Sequence, residues 1–155
     1  MAKVLVIRLS AIGDVAMTVP VIYSAAKANP EDSFTVLTQA FLMPLFMNRP
    51  PNVEVIGINT KGAEKGLIGL LKFISALLKF DFDVILDLHN VIRTIIICTF
   101  FRLNGKRVFV LDKARKERKR LTAIKGKRLY PLRPVIVRYA YVFRAFLLYT
   151  SDAAD

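Results

Sequence analysis

The sequence predicts an α/β protein whose strands form a doubly wound parallel sheet. Short apolar runs rich in β-branched residues recur along the chain, each bounded by turn residues, as strands covered on both faces require. Longer segments with apolar residues at helical spacing separate them, and strands alternating with helices argue for parallel pairing. At 155 residues, 54% of them hydrophobic, the chain can form one domain with a sizeable core.

Val4 to Ile7 is the first expected strand, a continuous apolar run that leads into the turn Ser10-Ala-Ile-Gly-Asp14. Thr18-Val-Pro20 to Ala28 follows as a helix stopped by Asn29-Pro30. Pro20 places its start. A helix begun at Asp14 would hold the proline in its interior, at a cost of about 3 kcal/mol. Thr18 as N-cap puts Pro20 in the first turn instead, where the missing N–H is harmless. Asp14 is then expected in an open, accessible turn.

Ser33 to Thr38 reads as the second strand, followed by a short helix around Phe41 to Phe46 that Asn48-Arg-Pro-Pro51 stops. Val53 to Ile58 is the third strand, and Gly66 to Phe80 the next helical pattern. Asp83 to Leu88 is the fourth strand, ending in His89-Asn90; a helix from Val91 to about Leu103 follows, stopped by Asn104-Gly105. Arg107 to Leu111 is the fifth strand. A basic loop comes next, and Pro134 to Leu148 closes the domain as a helix. The domain is expected over residues 1–149. Residues 150–155, Thr-Ser-Asp-Ala-Ala-Asp, are small, acidic and not amphipathic, and read as a non-native tail outside the functional argument.

Composition narrows the function classes. No uncharged apolar run reaches the roughly 18 residues of a membrane-spanning helix. Arg8 and Asp14 interrupt what would be the apolar region of a secretory signal, so a cytoplasmic protein is expected. Cys98 is the single cysteine, which excludes an internal disulfide, and no Cys/His cluster has metal-ligand spacing. Within Ile95 to Phe101 it reads most simply as a small buried hydrophobe.

The net charge is +12. From Arg102 to Arg144 the chain carries cations throughout, including Lys113, Arg115, Lys116, Arg118, Lys119, Arg120, Lys127 and Arg128, with Asp112 and Glu117 as the acids. Such asymmetry predicts an anionic partner: nucleic acid, an anionic membrane surface, or a phosphorylated or carboxylated substrate. The alternative is a solvated surface.

Three motifs fall at expected strand ends, where ligands bind in open α/β sheets. In Ser10-Ala-Ile-Gly-Asp14, Gly13 permits a sharp turn and close ligand approach. Asp14 is ionised near neutrality and can take a proton from a hydroxyl. The competing reading is a turn aspartate bonding local N–H groups. The motif is neither G-x-G-x-x-G nor a Walker loop. In Asp87-Leu-His-Asn-Val-Ile-Arg93, Arg93 offers a forked pair of donors to a carboxylate or phosphate. His89 is either a structural hydrogen-bonder or a site residue, and its strand-end position raises the second reading. In Asp112 to Arg120, Lys113 and Arg115 are placed for an anionic ligand, and the more distal cations for coating the surface. Few aromatics interleave here, which weakens a single-stranded nucleic-acid reading.

Together these motifs resemble the lipopolysaccharide heptosyltransferases, glycosyltransferase family 9. The matching landmarks are Arg8, Ser10 and Gly13-Asp14 with Thr18-Val-Pro20, Asp87 to Arg93, and Asp112-Lys-x-Arg-Lys-Glu117 with Leu121-Thr122. Pro131-Leu and Val137-Arg-Tyr-Ala-Tyr-Val-Phe143 complete the set, in family order, and the resemblance covers residues 3 to 148. It implies the N-terminal, Rossmann-like half of a GT-B enzyme. The implied activity is a metal-independent, inverting transfer of heptose from ADP-heptose to the lipopolysaccharide inner core.

By that resemblance Asp14 is the general base. Arg8, Ser10, Gly13, His89, Asn90, Arg93, Lys113 and Arg115 line the acceptor site, the cations holding carboxylates and phosphates of the acceptor. No metal or cofactor is implied beyond the donor sugar. The partner is an anionic lipopolysaccharide core reached at the cytoplasmic face of the inner membrane. The family's second domain, which holds most of the nucleotide-sugar site, is absent from these residues, so they are expected to form an acceptor half-site inactive alone. The runner-up is a non-enzymatic basic α/β module that binds nucleic acid or anionic lipid. A nicotinamide-dependent dehydrogenase half is disfavoured by the missing glycine fingerprint.

Overall fold

The computed structural model describes residues 1–126 and 131–152. Lys127 and Arg128 of the basic segment and residues 153–155 of the expected tail lie outside the described residues. In chain order the elements are β1 (Lys3–Ile7), α1 (Ile12–Ala28), β2 (Ser33–Gln39), a 3-10 helix (Ala40–Leu45), β3 (Val53–Ile58) and α2 (Gly66–Leu78). They continue with β4 (Val84–Asp87), α3 (Ile92–Leu103), β5 (Arg107–Val110), α4 (Arg115–Leu121) and α5 (Val135–Asp152).

The five strands are all parallel, in the order β3-β2-β1-β4-β5. Strand β1 is central and its four residues Val4 to Ile7 are fully buried, which is why it reads as an unbroken apolar run. Chain direction across the sheet reverses between β1 and β4, making their carboxyl ends the topological switch point where ligands of open α/β sheets bind.

Two apolar layers cover the sheet. On one face Val15, Ile22, Ala25 and Ala26 of α1 and Tyr139, Val142, Phe143 and Phe146 of α5 pack on Val4, Val6, Phe34, Val36, Val84 and Leu86. On the other, Leu70, Ile74 and Leu77 of α2 and Ile97, Cys98 and Phe101 of α3 pack on Leu5, Ile7, Leu37, Ile58 and Ile85. Side chains alternate across each strand, so one pattern serves both layers. Cys98 is buried, as its apolar neighbours suggested. Gly57 of β3 lets the 3-10 helix come close: a Cβ there would meet Met43 Sδ at 2.6 Å and Ala40 Cα at 2.9 Å.

Two expectations are corrected. Helix α1 begins at Ile12, so Asp14 lies inside its first turn and Pro20 in its interior. The buried stripe Val15, Thr18, Ile22, Ala25 and Ala26 runs straight through the proline position. Burying a Val or Ile side chain is worth about 1.5–3 kcal/mol, enough to offset one interior proline. Pro20 and Ala16, whose carbonyl the proline leaves without a helical donor, both sit on the exposed side. The second correction concerns the basic loop, which contains α4. That helix buries no residue and so has no apolar stripe to betray it. Its last turn carries Arg118, Lys119 and Arg120, cations that suit the carboxyl end of a helix, whereas Glu117 shares the first turn with Arg115 and Lys116. Helix α5 extends to Asp152, so Thr150, Ser151 and Asp152 of the expected tail continue it.

Candidate functional site

The site is built where β1 and β4 end side by side. Arg8 follows β1, and its backbone N–H continues the ladder by donating to the Leu37 carbonyl at 3.0 Å. Its side chain is buried and points along the switch point. Nη1 donates to the Leu88 carbonyl at 2.8 Å, and Nη2 meets Asp14 Oδ2 at 2.8 Å. The guanidinium carbon lies 6.0 Å from the ring centre of Tyr139, at the edge of cation–π range. Arg8 Nε is buried and has no hydrogen-bond partner among the described residues.

Asp14 is the third residue of α1, where the helix dipole favours an anion. Its side chain is 42% exposed. The carboxylate is therefore fixed at one oxygen by Arg8 and open to solvent elsewhere. The expected turn is replaced by a helix end, yet the accessibility expected of Asp14 is retained. Ala11 caps α1 without a side-chain hydrogen bond, leaving the first N–H groups of the helix without a side-chain acceptor. Gly13 makes no sharp turn; it is helical, and a Cβ there would meet nothing within 4 Å.

His89 closes the site from the β4 side. Its pKa is pushed down to about 4, chiefly by burial, with further lowering by Arg8 and Lys113 and an opposing pull from Asp14. The imidazole is neutral at physiological pH, and its buried Nδ1 has no hydrogen-bond partner among the described residues. Lys113, after β5, is half-buried; burial first, then Arg115 and Arg8, holds its pKa below the usual lysine value. The charges of Arg8, Lys113 and Asp14 thus all act on His89 at this strand end.

The other expected residues divide differently. Asp87 is buried and turned onto its own loop: Oδ1 accepts from the N–H groups of His89 and Asn90 at 2.9 Å, and Oδ2 from the Thr94 hydroxyl at 2.9 Å. Asn90 has φ 51° and donates its side-chain amide to the Leu111 carbonyl at 3.2 Å, tying the β4 loop to the end of β5. Arg93 Nη1 donates to the Glu64 carbonyl at 3.2 Å, so its fork reaches the loop before α2 rather than Asp14. Ser10 is half-buried beside Arg8 in sequence, and Arg115 is exposed at the start of α4.

Tyr139 was not singled out as a site residue. It is fully buried on α5, its ring under Arg8 and its hydroxyl 3.5 Å from the Asp14 carbonyl oxygen; burial raises its pKa. Its place on the buried stripe with Val142, Phe143 and Phe146 is visible as helical spacing. Its contact with a strand end 131 positions earlier is not, since 139 minus 8 spans most of the chain.

A cleft of about 650 Å³ lies elsewhere, beside edge strand β5, lined by Phe109, Val110, Arg138, Tyr141 and Val142 among others. Its lining does not include Arg8, Asp14 or His89. Among the described residues no group of three His, Cys, Asp or Glu side chains could hold a metal ion.

No protein-family model matches the chain, and no curated protein matches it. Solved structures do. The glycosyl transferase family 9 protein from Veillonella parvula superposes with a TM-score of 0.67 at 21% identity, over 93% of this chain and 41% of that one. The chain shares the fold of a family 9 glycosyltransferase. E. coli heptosyltransferase WaaC with ADP gives 0.62 at 20% identity, over 92% of this chain and 47% of that one. A UGT transferase from Siraitia grosvenorii in complex with UDP gives 0.54 at 11% identity, over 72% and 28%. The chain spans less than half the length of the family 9 protein and of WaaC. What these share is the GT-B type of parallel sheet that sets the switch point where Arg8 and Asp14 meet.

Proposed function

We propose that this chain supplies the acceptor-binding part of an inverting glycosyltransferase, moving heptose from ADP-heptose to the lipopolysaccharide inner core, with Asp14 as general base. The observation that carries the reading is the Arg8–Asp14 pair: an accessible carboxylate held at 2.8 Å by a buried guanidinium at the switch point. In the reaction the acceptor hydroxyl oxygen attacks the anomeric carbon from the face opposite ADP. Its proton passes to Asp14 as the new C–O bond forms. The bond to ADP breaks with its electron pair leaving on the phosphate, and the anomeric configuration inverts.

Arg8 orients the base and shares its charge. Neutral His89 offers a hydrogen-bonding edge to a sugar hydroxyl rather than a positive charge. Lys113 and Arg115 suit the carboxylates and phosphates of the acceptor. ADP-heptose is held mainly by a further domain, and the working place is the cytoplasmic face of the inner membrane. The support is the fold shared with structures that include the E. coli heptosyltransferase WaaC.

The test is Asp14→Asn in a polypeptide carrying this chain together with its nucleotide-sugar domain, assayed for transfer from ADP-heptose. General-base loss of about 10²–10⁴-fold in kcat is expected with the fold unchanged. A near-normal rate in a folded variant removes Asp14 from the role. One observation favours a second reading, a basic module for nucleic acid: α4 carries five cations in seven residues. Salt-sensitive RNA binding without affinity for the lipopolysaccharide core would select it.

A further inference from the structure

Among the described residues of the α1/α5 layer, Tyr139 is the fully buried tyrosine; its buried aromatic neighbours there are Phe34, Phe46, Phe143 and Phe146. Burying a phenol costs free energy unless its hydroxyl is hydrogen-bonded. Tyr139 Oη meets the Asp14 carbonyl oxygen at 3.5 Å, the long end of such bonds. A phenylalanine would fill the same space without that cost, so packing alone does not call for the hydroxyl.

This one side chain touches both members of an ion pair. Its hydroxyl reaches the backbone of Asp14, 125 positions earlier in the chain and in the first turn of α1. Its ring faces the Arg8 guanidinium, whose carbon lies 6.0 Å from the ring centre. The Arg8 side chain is 10% exposed, with Nη1 engaged by the Leu88 carbonyl and Nη2 by Asp14, while Nε has no hydrogen-bond partner among the described residues. A buried cation with an incomplete set of acceptors is steadied by the negative face of an aromatic ring. Removing the ring opens volume into which the guanidinium can tilt. Burial raises the pKa of Tyr139, so the phenol keeps its proton at physiological pH and can donate.

We propose that Tyr139 is a positioning residue: its ring seats Arg8 and its hydroxyl steadies the first turn of α1, which fixes Asp14 at 2.8 Å from the guanidinium. Helix α5 thereby sets the geometry of the switch point from beneath it. For any effect on sugar transfer this rests on the reading of Asp14 as general base; the contact with the pair does not.

The experiment follows the His89 imidazole by proton NMR through a pH titration of the whole chain. Burial is the first cause of the low His89 pKa; Arg8 and then Lys113 lower it further, and Asp14 opposes them. Releasing Arg8 weakens a lowering influence and leaves Asp14 less neutralised, so the midpoint rises. Tyr139→Leu is expected to raise it by about 0.5 pH unit or more. Tyr139→Met fills the gap with a flexible thioether and carries the same expectation should the leucine variant fail to fold. Tyr139→Phe keeps the ring and loses the hydroxyl, and is expected to shift the midpoint by no more than about half as much. Phe146→Leu removes a ring from the same buried face of α5, one that packs on Phe34. It should lower stability and leave the midpoint in place, which separates positioning from core filling.

An unmoved midpoint in a folded leucine or methionine variant overturns the inference, as does an equal shift in Phe146→Leu. No sugar donor is present in the titration, so its outcome is independent of Asp14→Asn. In the polypeptide with its nucleotide-sugar domain, Tyr139→Leu should also lower kcat by about tenfold with KM for ADP-heptose unchanged. A moved midpoint with unchanged kcat would leave the positioning standing and count against Asp14 as the base.

Discussion

Arg8 holds Asp14 with one nitrogen and the Leu88 carbonyl with another, both at 2.8 Å, so a single guanidinium joins the carboxyl ends of β1 and β4 to the start of α1. The fork geometry matters more than the charge. Lysine brings a compact ammonium that cannot hold two divergent acceptors in a fixed plane. Arg8→Lys is expected to cost about 1–3 kcal/mol, because the buried Leu88 carbonyl loses its donor while Asp14 turns to water. Urea unfolding checks this, and an unchanged midpoint would show that the pair contributes nothing to the fold.

His89 gives a direct reading of how dry the switch point is. It is the only histidine, so its imidazole proton resonances need no assignment strategy. With the pKa at about 4 in the folded chain, the resonances should stay flat through pH 6 and move only in more acidic buffer. A midpoint near the ordinary value of about 6.5 would contradict the packing described.

The sign of the linked stability change follows. Between pH 6.5 and 4 the unfolded chain binds this proton and the folded chain does not. His89 therefore contributes a loss of stability as pH falls through that window and none above it. His89→Gln should flatten that part of the stability profile.

Asp87 is the fulcrum of the loop that presents His89. Its two oxygens accept two backbone N–H groups and the Thr94 hydroxyl, all at 2.9 Å. Asp87→Ala strands buried donors and is expected to cost at least about 3 kcal/mol. Asp87→Asn keeps one oxygen for the backbone pair and can place its amide on the Thr94 oxygen, so it should cost less than half as much. Equal losses for the two would show that charge, not hydrogen bonding, holds the loop.

Much of this architecture was legible because strand and helix periods are dictated by burial. The unbroken run Val4 to Ile7 marks a central strand, and β3 falls on the expected residues Val53–Ile58. The start of α1 was misread because local and tertiary terms oppose each other. Pro20 argues for a late start, while Val15, Thr18 and Ile22 argue for an early one and prevail through packing. Helix α4 escaped because it buries nothing. Arg8 and Asp14 were legible as candidates from their strand-end position. Tyr139 beneath them, and Arg93 directed to Glu64, depend on contacts between distant segments that no local pattern encodes.

The Pro20 conflict is itself measurable. Pro20→Ala restores a donor to the Ala16 carbonyl and removes the ring's clash, worth up to about 3 kcal/mol in a helix interior. Against that, alanine frees the unfolded chain by about 0.4–1 kcal/mol. The balance of the two is a net gain of about 1–2 kcal/mol in thermal or urea unfolding. A loss of stability would mean that the proline's restriction of the unfolded chain outweighs the hydrogen bond it removes.

Gly13 separates a requirement of the fold from one of the ligand. It lies in the first turn of α1, has no positive φ, and faces open space where a Cβ would touch nothing. Nothing in the chain itself therefore calls for glycine, which costs a helix about 0.5–1 kcal/mol relative to alanine. Gly13→Ala should accordingly raise the melting temperature. If the acceptor sugar approaches Asp14 across this bare backbone, the same methyl group obstructs it. In the polypeptide with its nucleotide-sugar domain, kcat/KM for the acceptor should then fall at least about tenfold, equivalent to about 1.4 kcal/mol. Stability and turnover moving in opposite directions is an outcome that a purely structural glycine does not produce. A stabilised variant with unchanged turnover would place the acceptor on the other side of Asp14, toward His89 and Lys113.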